Sequence, residues 1–467
     1  MTASSEIYSH EFHPTILRAY DIRGIIGNTL TEEDAFAIGA LFTNCLDGSL
    51  KKVAVGRDGR LSSPALSKAL IDGLIAGGAH VIDIGLGPTP QLYFADRILE
   101  CDGAIQITGS HNPKDYNGFK MVKTHLSFYG DDIEKLGQMG RAGVTLTHDG
   151  SYQEHSVFDD YIAKLTDGLA HDERPLIWDT GNGAAGPAVA ALIEKLEGTH
   201  HLLFAEVDGN FPNHHPDPVD PHTLGFLRDA RDEMNADCGL GFDGDGDRLG
   251  VIDAKGRQVP GDLLTAFLAL EYLQRNPGAE ILFDVKSSQT AMAIVRQAGG
   301  VASLWKTGHS HMKSRMVETG CELAGEMSGH IFIKDGYYGF DDALYVAVRL
   351  LQTMHRTGQT ITDFMDNLPQ SYASPECRVP CDDERKFADM TALAEAAMRQ
   401  FSDRDVIVID GVRVMDETGW WLIRASNTEA ALVVRAEGVD ETALATKIDE
   451  LQSLLSQQSI SWDGPDA

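Results

Sequence analysis

Three times along the chain a short apolar run ends in aspartate, at 52–58, 176–179 and 281–284. A helical stretch follows each run, then a second strand-like run (80–84, 201–205, 301–305) and another helical stretch. The helices of these units include 63–76, 93–99, 224–234 and 312–318. A third apolar run then closes each unit, at 103–108, just before Asp243, and at 322–324. Cys101, Cys238 and Cys321 stand nine residues ahead of Ser110, Asp247 and His330, the same offset each time. The ordinary role of such cysteines is small buried packing. Together with the order of elements, they read as three copies of one α/β unit. Strands alternating with helices predict mixed, mostly parallel sheets whose loops gather at the strand C-termini. Ligands of such sheets bind in the crevice beyond those ends, so three units facing one another predict one central cleft.

At 467 residues the chain exceeds one core, and the repeat divides it into α/β domains over 1–155, 156–256 and 257–369. From about Ser371 the pattern changes, predicting a smaller α+β domain over 370–467. A strand near 376–379 and a helix over 389–401 precede two strand-like runs joined by Asp410-Gly411, a hairpin signal. Runs at 420–423 and 431–435 flank a polar loop, and an amphipathic helix over 441–455 closes the domain. The tail 456–467 offers little core material. At the other end, 15–24 reads as a strand leading to a glycine turn, with Tyr20 and Arg23 near its tip.

A formal charge of −31 argues against nucleic acid and anionic membrane as partners, since both need a basic face. It leaves room for a small anionic substrate, because screening confines the global field to about 8 Å and local Arg and Lys govern a cleft. The six cysteines show no CxxC spacing, which predicts reduced thiols in the cytoplasm. The first residues carry no basic region and no apolar run, so no signal peptide is expected. No apolar stretch of about 18 residues predicts a membrane span.

The strongest chemical signal is Asp243-Gly-Asp-Gly-Asp247, between the apolar flanks Leu240, Phe242 and 249–252. Alternation places three carboxylates on one side of an extended backbone, and the glycines let it bend around something small. Like charges this close raise one another's pKa unless a cation sits among them. Oxygen donors suit a hard divalent ion, Mg²⁺ or Mn²⁺. An EF-hand wants glycine after the third acidic position and glutamate at the twelfth, where Arg248 and Ala254 stand instead. An acidic solvated turn is the bland reading, and the enclosing apolar residues argue against it.

Thr108-Gly-Ser-His-Asn-Pro113 follows a strand directly. Gly109 permits a tight bend and Pro113 keeps a helix from absorbing the loop, which predicts Ser110 exposed at the tip as a nucleophile. Turn chemistry alone would also account for the loop; the neighbouring carboxylates favour phosphoryl transfer. In Gly325-Glu-Met-Ser-Gly-His330, Glu326 and Ser328 share a face and can take a vicinal diol, although a bulged strand end has the same look. Lys286 and the run Lys306-Thr-Gly-His-Ser-His311 stand at other strand ends, where a lone histidine is more often a surface residue than an acid or base. Arg424-Ala-Ser-Asn-Thr428 gathers a guanidinium, two hydroxyls and an amide, an inventory matching a phosphate monoester.

In that order these four loops resemble those of the α-D-phosphohexomutases, through essentially the whole chain. The sugar loop with Met327 and Gly329 is most similar to the bacterial phosphomannomutase/phosphoglucomutase branch. Phosphoglucosamine mutase is the alternative reading within the family; its related sugar loop usually carries Gln where Met327 stands, which counts against it. The resemblance implies four domains in a heart-shaped arrangement, Ser110 carrying phosphate, and Mg²⁺ held by Asp243, Asp245 and Asp247 with Ser110. It implies sugar contacts from Glu326 and Ser328 and phosphate contacts from Arg424, Ser426, Asn427 and Thr428. Tyr20, Arg23, Lys120, Arg248, Lys286, His309 and His330 fall where the family keeps further cleft residues. His111, Lys120 and His330 are the candidates for general acid and base.

The function expected is a reversible hexose 1-phosphate/6-phosphate mutase acting on a phosphosugar, with glucose 1,6-bisphosphate as activator, as a cytoplasmic monomer. Two other classes share parts of this inventory. A metal-dependent phosphatase would use Ser110 and the carboxylates but has little use for a loop that holds an idle phosphate. A non-catalytic sugar-phosphate sensor would use Glu326 and Arg424 but gains nothing from a serine beside a metal.

Overall fold

The computed structural model describes residues 6–48, 50–169, 172–382, 385–426 and 430–465. Three sheets repeat one plan. The strands Lys51–Arg57, Leu176–Asp179 and Glu280–Asp284 are each paired in parallel on both sides. On one side lies the second strand of the unit: Ala79–Leu86, His200–Leu203 or Val301–Trp305. On the other lies the third: Gly103–Ile107, Cys238–Phe242 or Leu323–Gly325. An antiparallel return strand then pairs with the third, at Tyr116–Lys123, Leu249–Asp253 or Ile331–Ile333. The serine, aspartate and sugar loops are therefore each the connection between a third strand and its return.

Residue types explain the plan. Strands with helices on both faces run apolar without alternation, and Leu176–Asp179, Cys238–Phe242 and Gly103–Ile107 are buried at every position. Cys101 and Cys238 lie in the largest core cluster, which runs through all three units, and Cys321 lies in a smaller one. Some helix starts are capped by side chains: Thr31 and Asp34 form a reciprocal box before Glu32–Cys45, and Asp342 caps Ala343–Thr357. The Asp342 carboxylate also accepts from Tyr161 and Tyr337, tying the second unit to the third. Burial pushes that carboxyl up to about 6.

The fourth unit is a six-stranded antiparallel-type sheet built on Ala431–Gly438, Gly419–Ala425, Val412–Asp416 and Asp405–Ile407. Helices Lys386–Gln400 and Glu441–Gln457 cover one face. All seven residues of Gly419–Ala425 are buried because the other face meets the third unit. Trp421 and Ile423 face the helices, whereas Trp420 and Leu422 pack with Val285. Arg413 lies 3.7 Å over the Trp420 ring and donates to the carbonyls of Val285 and Ser287.

Two expectations are corrected here. The strand expected over 15–24 is only Ile22–Ile25, with turns and a bridge from Leu17 to Ile22 before it, and a strand not expected from the sequence, Glu6–Tyr8, pairs with Val144–Leu146. The closing helix runs to Gln457, and Ile460 and Trp462 beyond it pack against the fourth core. A tail poor in apolar residues is anchored by the two it has. None of the described helices is long and apolar enough to cross a membrane.

Helices Glu32–Cys45 and Ser63–Ala76 cross where backbones touch. A Cβ on Gly73 would meet the Phe36 carbonyl oxygen at 2.0 Å, and one on Gly39 would meet that of Leu70 at 2.3 Å. Alanine gains about 1 kcal/mol of helix propensity over glycine, while overpacking costs about 1–3 kcal/mol. Against backbone atoms the clash wins, so Gly73→Ala is expected to lower the urea midpoint of the protein. A midpoint raised by the substitution would show that the helices do not meet at this contact.

Candidate active site

The three loops converge on one cavity of about 850 Å³. Ser110, His111, Arg23, Tyr20 and Lys120 line it from the first unit, Arg248 from the second, and Lys286, His309, Glu326, Ser328 and His330 from the third. The fourth unit contributes Glu376, Arg378 and Arg435.

Ser110 sits at φ 49°, left-handed for a residue with a side chain, and strain of that kind persists only where surroundings over-determine it. Here they do. The Thr108 hydroxyl accepts from Ser110 N at 2.8 Å. Asp58, just past the first strand, accepts from Gly109 N through one oxygen and from Arg60 N and the Ser63 hydroxyl through the other. The Arg60 guanidinium donates to the carbonyls of Ser110, Asn112, Pro113 and Tyr116, and Arg23 donates to those of Gly109 and to the Asn112 side chain. The loop is thus wired to buried charges. Ser110 is only 3 % exposed, which corrects the expectation of an exposed tip: the cleft closes over it. Its hydroxyl donates to Asp243 Oδ2 at 3.0 Å, and His111 Nδ1 lies 3.2 Å away.

Asp243, Asp245 and Asp247 are fully buried. Asp243 Oδ1 accepts from the N–H groups of Asp247 and Arg248, which folds the loop back on itself. From the first unit, Thr89, the first residue of the helix Thr89–Ile98, donates its N–H to the Asp245 backbone carbonyl (2.8 Å) and its hydroxyl to the Asp245 carboxylate (2.5 Å). Lys120 Nζ lies 2.8 Å from Asp245 Oδ2 and also pairs with Asp247 Oδ2. Burial, then Asp245 and Asp247, push the Asp243 carboxyl well above its usual range. Burial works against the Asp247 charge as well, but Lys120 and His330 hold that carboxyl well below. Asp245 Oδ1 and Asp247 Oδ1 are buried without a hydrogen-bond partner, and the three carboxylates are spaced to share an ion. An all-oxygen set of this kind fits a hard divalent cation.

On the sugar loop, Glu326 accepts from Gly308 N at 2.5 Å and from His330 Nδ1 at 2.9 Å, with the Ser328 hydroxyl at 3.4 Å. Asp284 accepts from Met327 N and from Thr307, the same service Asp58 gives the serine loop. His330 is pushed up to about 9: burial and Arg248 oppose its charge, and Asp247 and Glu326 prevail. In the fourth unit Arg424 Nε pairs with Asp410 at 3.0 Å. Arg424 and Ser426 are buried and do not line the cavity, although Tyr20 and Glu376, which do, act on the Arg424 charge. Asn427 and Thr428 lie outside the described residues.

Sequence reasoning missed Arg60, Thr89 and Arg435. Arg60 follows Asp58, whose recurrence at strand ends was visible, but nothing local announces a guanidinium that caps four carbonyls some fifty residues away. Arg435 donates to the Lys286 carbonyl and touches Met327 Sδ, linking the fourth unit to the sugar loop.

Profiles of four domain families match the chain in register with these units. Phosphoglucomutase/phosphomannomutase alpha/beta/alpha domains I, II and III match residues 14–137, 159–256 and 260–372. The C-terminal domain of the same family matches 376–452. A phosphomannomutase/phosphoglucomutase of Pseudomonas putida is 44 % identical over 432 residues, 92 % of this chain and 93 % of that one. A phosphoglucomutase of Neisseria gonorrhoeae is 40 % identical over 96 % of this chain and 98 % of its own. The crystal structure of a phosphoglucomutase/phosphomannomutase family protein from Burkholderia thailandensis superposes with a TM-score of 0.90 at 40 % identity, covering 97 % of this chain and 100 % of that one.

Two cleft histidines should mark the pH dependence of stability. Burial, then Lys313 and Lys120, hold His309 well below its usual value, and burial with Arg248 and Arg23 does the same to His111. The unfolded chain then takes protons that the folded chain refuses, so stability falls as pH drops below about 6.5. His330 acts oppositely, contributing stability below about 6.5 that is lost as pH rises through about 9. In chelator-treated protein, His309→Asn is expected to make the acid limb between pH 6.5 and 5 shallower by up to about 1.4 kcal/mol per pH unit. Urea titrations of both proteins across that range measure it; parallel limbs would mean that His309 titrates normally.

Proposed function

The chain belongs to the phosphoglucomutase/phosphomannomutase family, and we propose on that footing that it interconverts the 1- and 6-phosphates of mannose and glucose through a phosphorylated Ser110. The carrying observation is the Ser110 hydroxyl 3.0 Å from Asp243, a nucleophile from one unit against the carboxylate loop of another, in a cavity shared with the sugar loop. Asp243, Asp245 and Asp247 with Ser110 would hold Mg²⁺, which when bound offsets charge on the transferring phosphoryl group.

In the forward half, the bond between Ser110 Oγ and phosphorus breaks as a free hydroxyl of the bound sugar phosphate forms the new bond. Of the three candidates His111, Lys120 and His330, the hydroxyl proton passes to His111, which burial holds neutral, while Lys120 and His330 stay charged. The product is a hexose 1,6-bisphosphate, which turns over in the cleft and returns its other phosphate to Ser110. Glu326 and Ser328 take the 3- and 4-hydroxyls in both orientations. Glucose and mannose differ at the second carbon, which this grip leaves alone, so it discriminates weakly between them. Arg424 and Ser426, with Asn427 and Thr428, hold whichever phosphate is idle, aided by Lys286, His309, Tyr20 and Arg23. Added glucose 1,6-bisphosphate activates by rephosphorylating Ser110.

Ser110→Ala is expected to remove nearly all turnover of mannose 1-phosphate and glucose 1-phosphate, and wild type to carry one phosphate on the peptide containing Ser110 by mass spectrometry. The lost bonds to Asp243 and His111 shift stability by about 1–3 kcal/mol at most, so circular dichroism should report a folded variant. Activity within a few-fold of wild type would remove Ser110 from the reaction.

Arg424→Ala separates mutase from hydrolase. It deletes a charge-assisted phosphate contact of about 1.5–3 kcal/mol, so the bisphosphate should escape more often per turnover. The variant is expected to depend more on added glucose 1,6-bisphosphate than wild type, with little inorganic phosphate from either. Stoichiometric phosphate release by wild type would favour the hydrolase.

A further inference from the structure

Apart from the cleft, the first and third units enclose a second cavity of about 190 Å³. Its lining and that of the cleft have no described residue in common. The walls include the rings of Tyr93, Tyr338 and Phe340 with the side chains of Val122 and Met316, and exposed Leu126 and Val317 stand at the rim. Asp96 also lines the cavity and is 2 % exposed. Its Oδ2 is engaged by His125 Nδ1 at 2.7 Å. Its Oδ1 is buried and has no hydrogen-bond partner among the described residues. A buried oxygen left this way is costly unless something is to be bound there, and burial pushes the Asp96 carboxyl above its usual range. The pair is held in place from behind. Thr124 and His125 make a turn at φ 50° and 63°, and Arg97 donates to the His125 carbonyl at 3.1 Å; such strain persists only where the surroundings over-determine it.

Volume and wall chemistry narrow the occupant. A cavity of about 150 Å³ holds benzene, whereas drug-sized ligands need about 300 Å³ or more. The space here therefore suits a single ring or two fused rings, and the aromatic walls offer such a ring faces and edges to pack on. The cations nearby do not make it an anion site. Lys313 Nζ donates to Asp341 Oδ1 at 2.8 Å and lies 4.2 Å from the centre of the Tyr93 ring, and Arg97 is committed to the His125 carbonyl. The unmet demand inside is for a hydrogen-bond donor.

We propose that this cavity is a regulatory site for a small aromatic molecule carrying one N–H or O–H group, which packs among the three rings and donates to Asp96 Oδ1. One helix couples it to the cleft. His309–Thr319 begins with His309 in the cleft, and its Lys313, Ser314, Met316 and Val317 line the cavity. A ring stacking on Tyr93 takes the face over which Lys313 lies and draws that ammonium away from Asp341. Asp341 Oδ2 stands 3.5 Å from His309 Nδ1, so the change reaches the cleft at His309 without filling the place of the sugar. The ligand is thus an inhibitor that does not compete with substrate. That consequence rests on the mutase reading, whereas the binding itself does not.

The test is calorimetric titration of indole into the full chain, with indene as a molecule of the same shape that lacks the N–H. One indole per chain should bind, alike with and without saturating glucose 1-phosphate. Indene should bind about tenfold more weakly or worse, because it leaves Asp96 Oδ1 unpaired. Val317→Trp, a change at an exposed rim position, should crowd the mouth and lose indole while keeping basal turnover. In wild type, indole should lower kcat for glucose 1-phosphate and leave KM unchanged. A chain that binds indole as expected yet turns over no glucose 1-phosphate in its absence would support the site and sink the mutase reading. No indole binding, indene bound as well as indole, or indole that glucose 1-phosphate displaces and Val317→Trp retains would each overturn the site. Bound indole that leaves kcat unchanged would overturn its coupling to the cleft.

Discussion

Three carboxylates on one five-residue loop, all buried, set the terms for the rest of the molecule. Removing such charges from water is affordable only when cations and oriented donors surround them. No single unit supplies enough. Lys120 and the N-terminus of Thr89–Ile98 come from the first unit, Arg248 from the second, and His330 from the third. The units must therefore close on the loop to neutralise it, and closing creates the cleft. The core shared by the three units and the Tyr161–Asp342–Tyr337 contact hold them in that position.

The same economy appears at the strand ends. Asp58 and Asp284 each hold the loop of the neighbouring third strand through its backbone N–H. Asp179 instead accepts from Gly181 N and His214, because the loop beside it is stiffened by its own Asp243. One position in a repeated plan thus serves two loops that present chemistry and is released where the loop organises itself. This divides the labour: the strand-end aspartates set backbone geometry, and the side chains of the loops they hold face the cleft.

Much of this was legible in the amino-acid order. Periodicity and the thrice-repeated strand ending gave three α/β units, whereas the antiparallel return strands were not read from the sequence. The helix Ser63–Ala76 begins and ends where its pattern does. The three acidic positions, the serine loop and the sugar loop were each visible as local composition. What stayed hidden is what distance hides. Arg60 caps carbonyls of a loop fifty residues on, and Lys313 braces Asp341 from another helix; no local pattern encodes either. Ser110 was misjudged in exposure because a strand tip is open only until another unit covers it. The packed tail at Ile460 and Trp462 shows the same limit, since two apolar residues suffice when a groove awaits them.

The contact between the third and fourth units has a metric consequence. Arg413 is stacked on Trp420 and bonded to Val285 and Ser287, while Arg435 bonds Lys286 and touches Met327. The sugar-loop side of the cleft and the unit that carries Arg424 thereby share one interface. On the proposed reading that interface sets the separation between the gripped hydroxyls and the idle phosphate. A phosphate borne one bond too near or too far would then miss its seat, so the molecule would measure its ligand by length before it tests the identity of any hydroxyl.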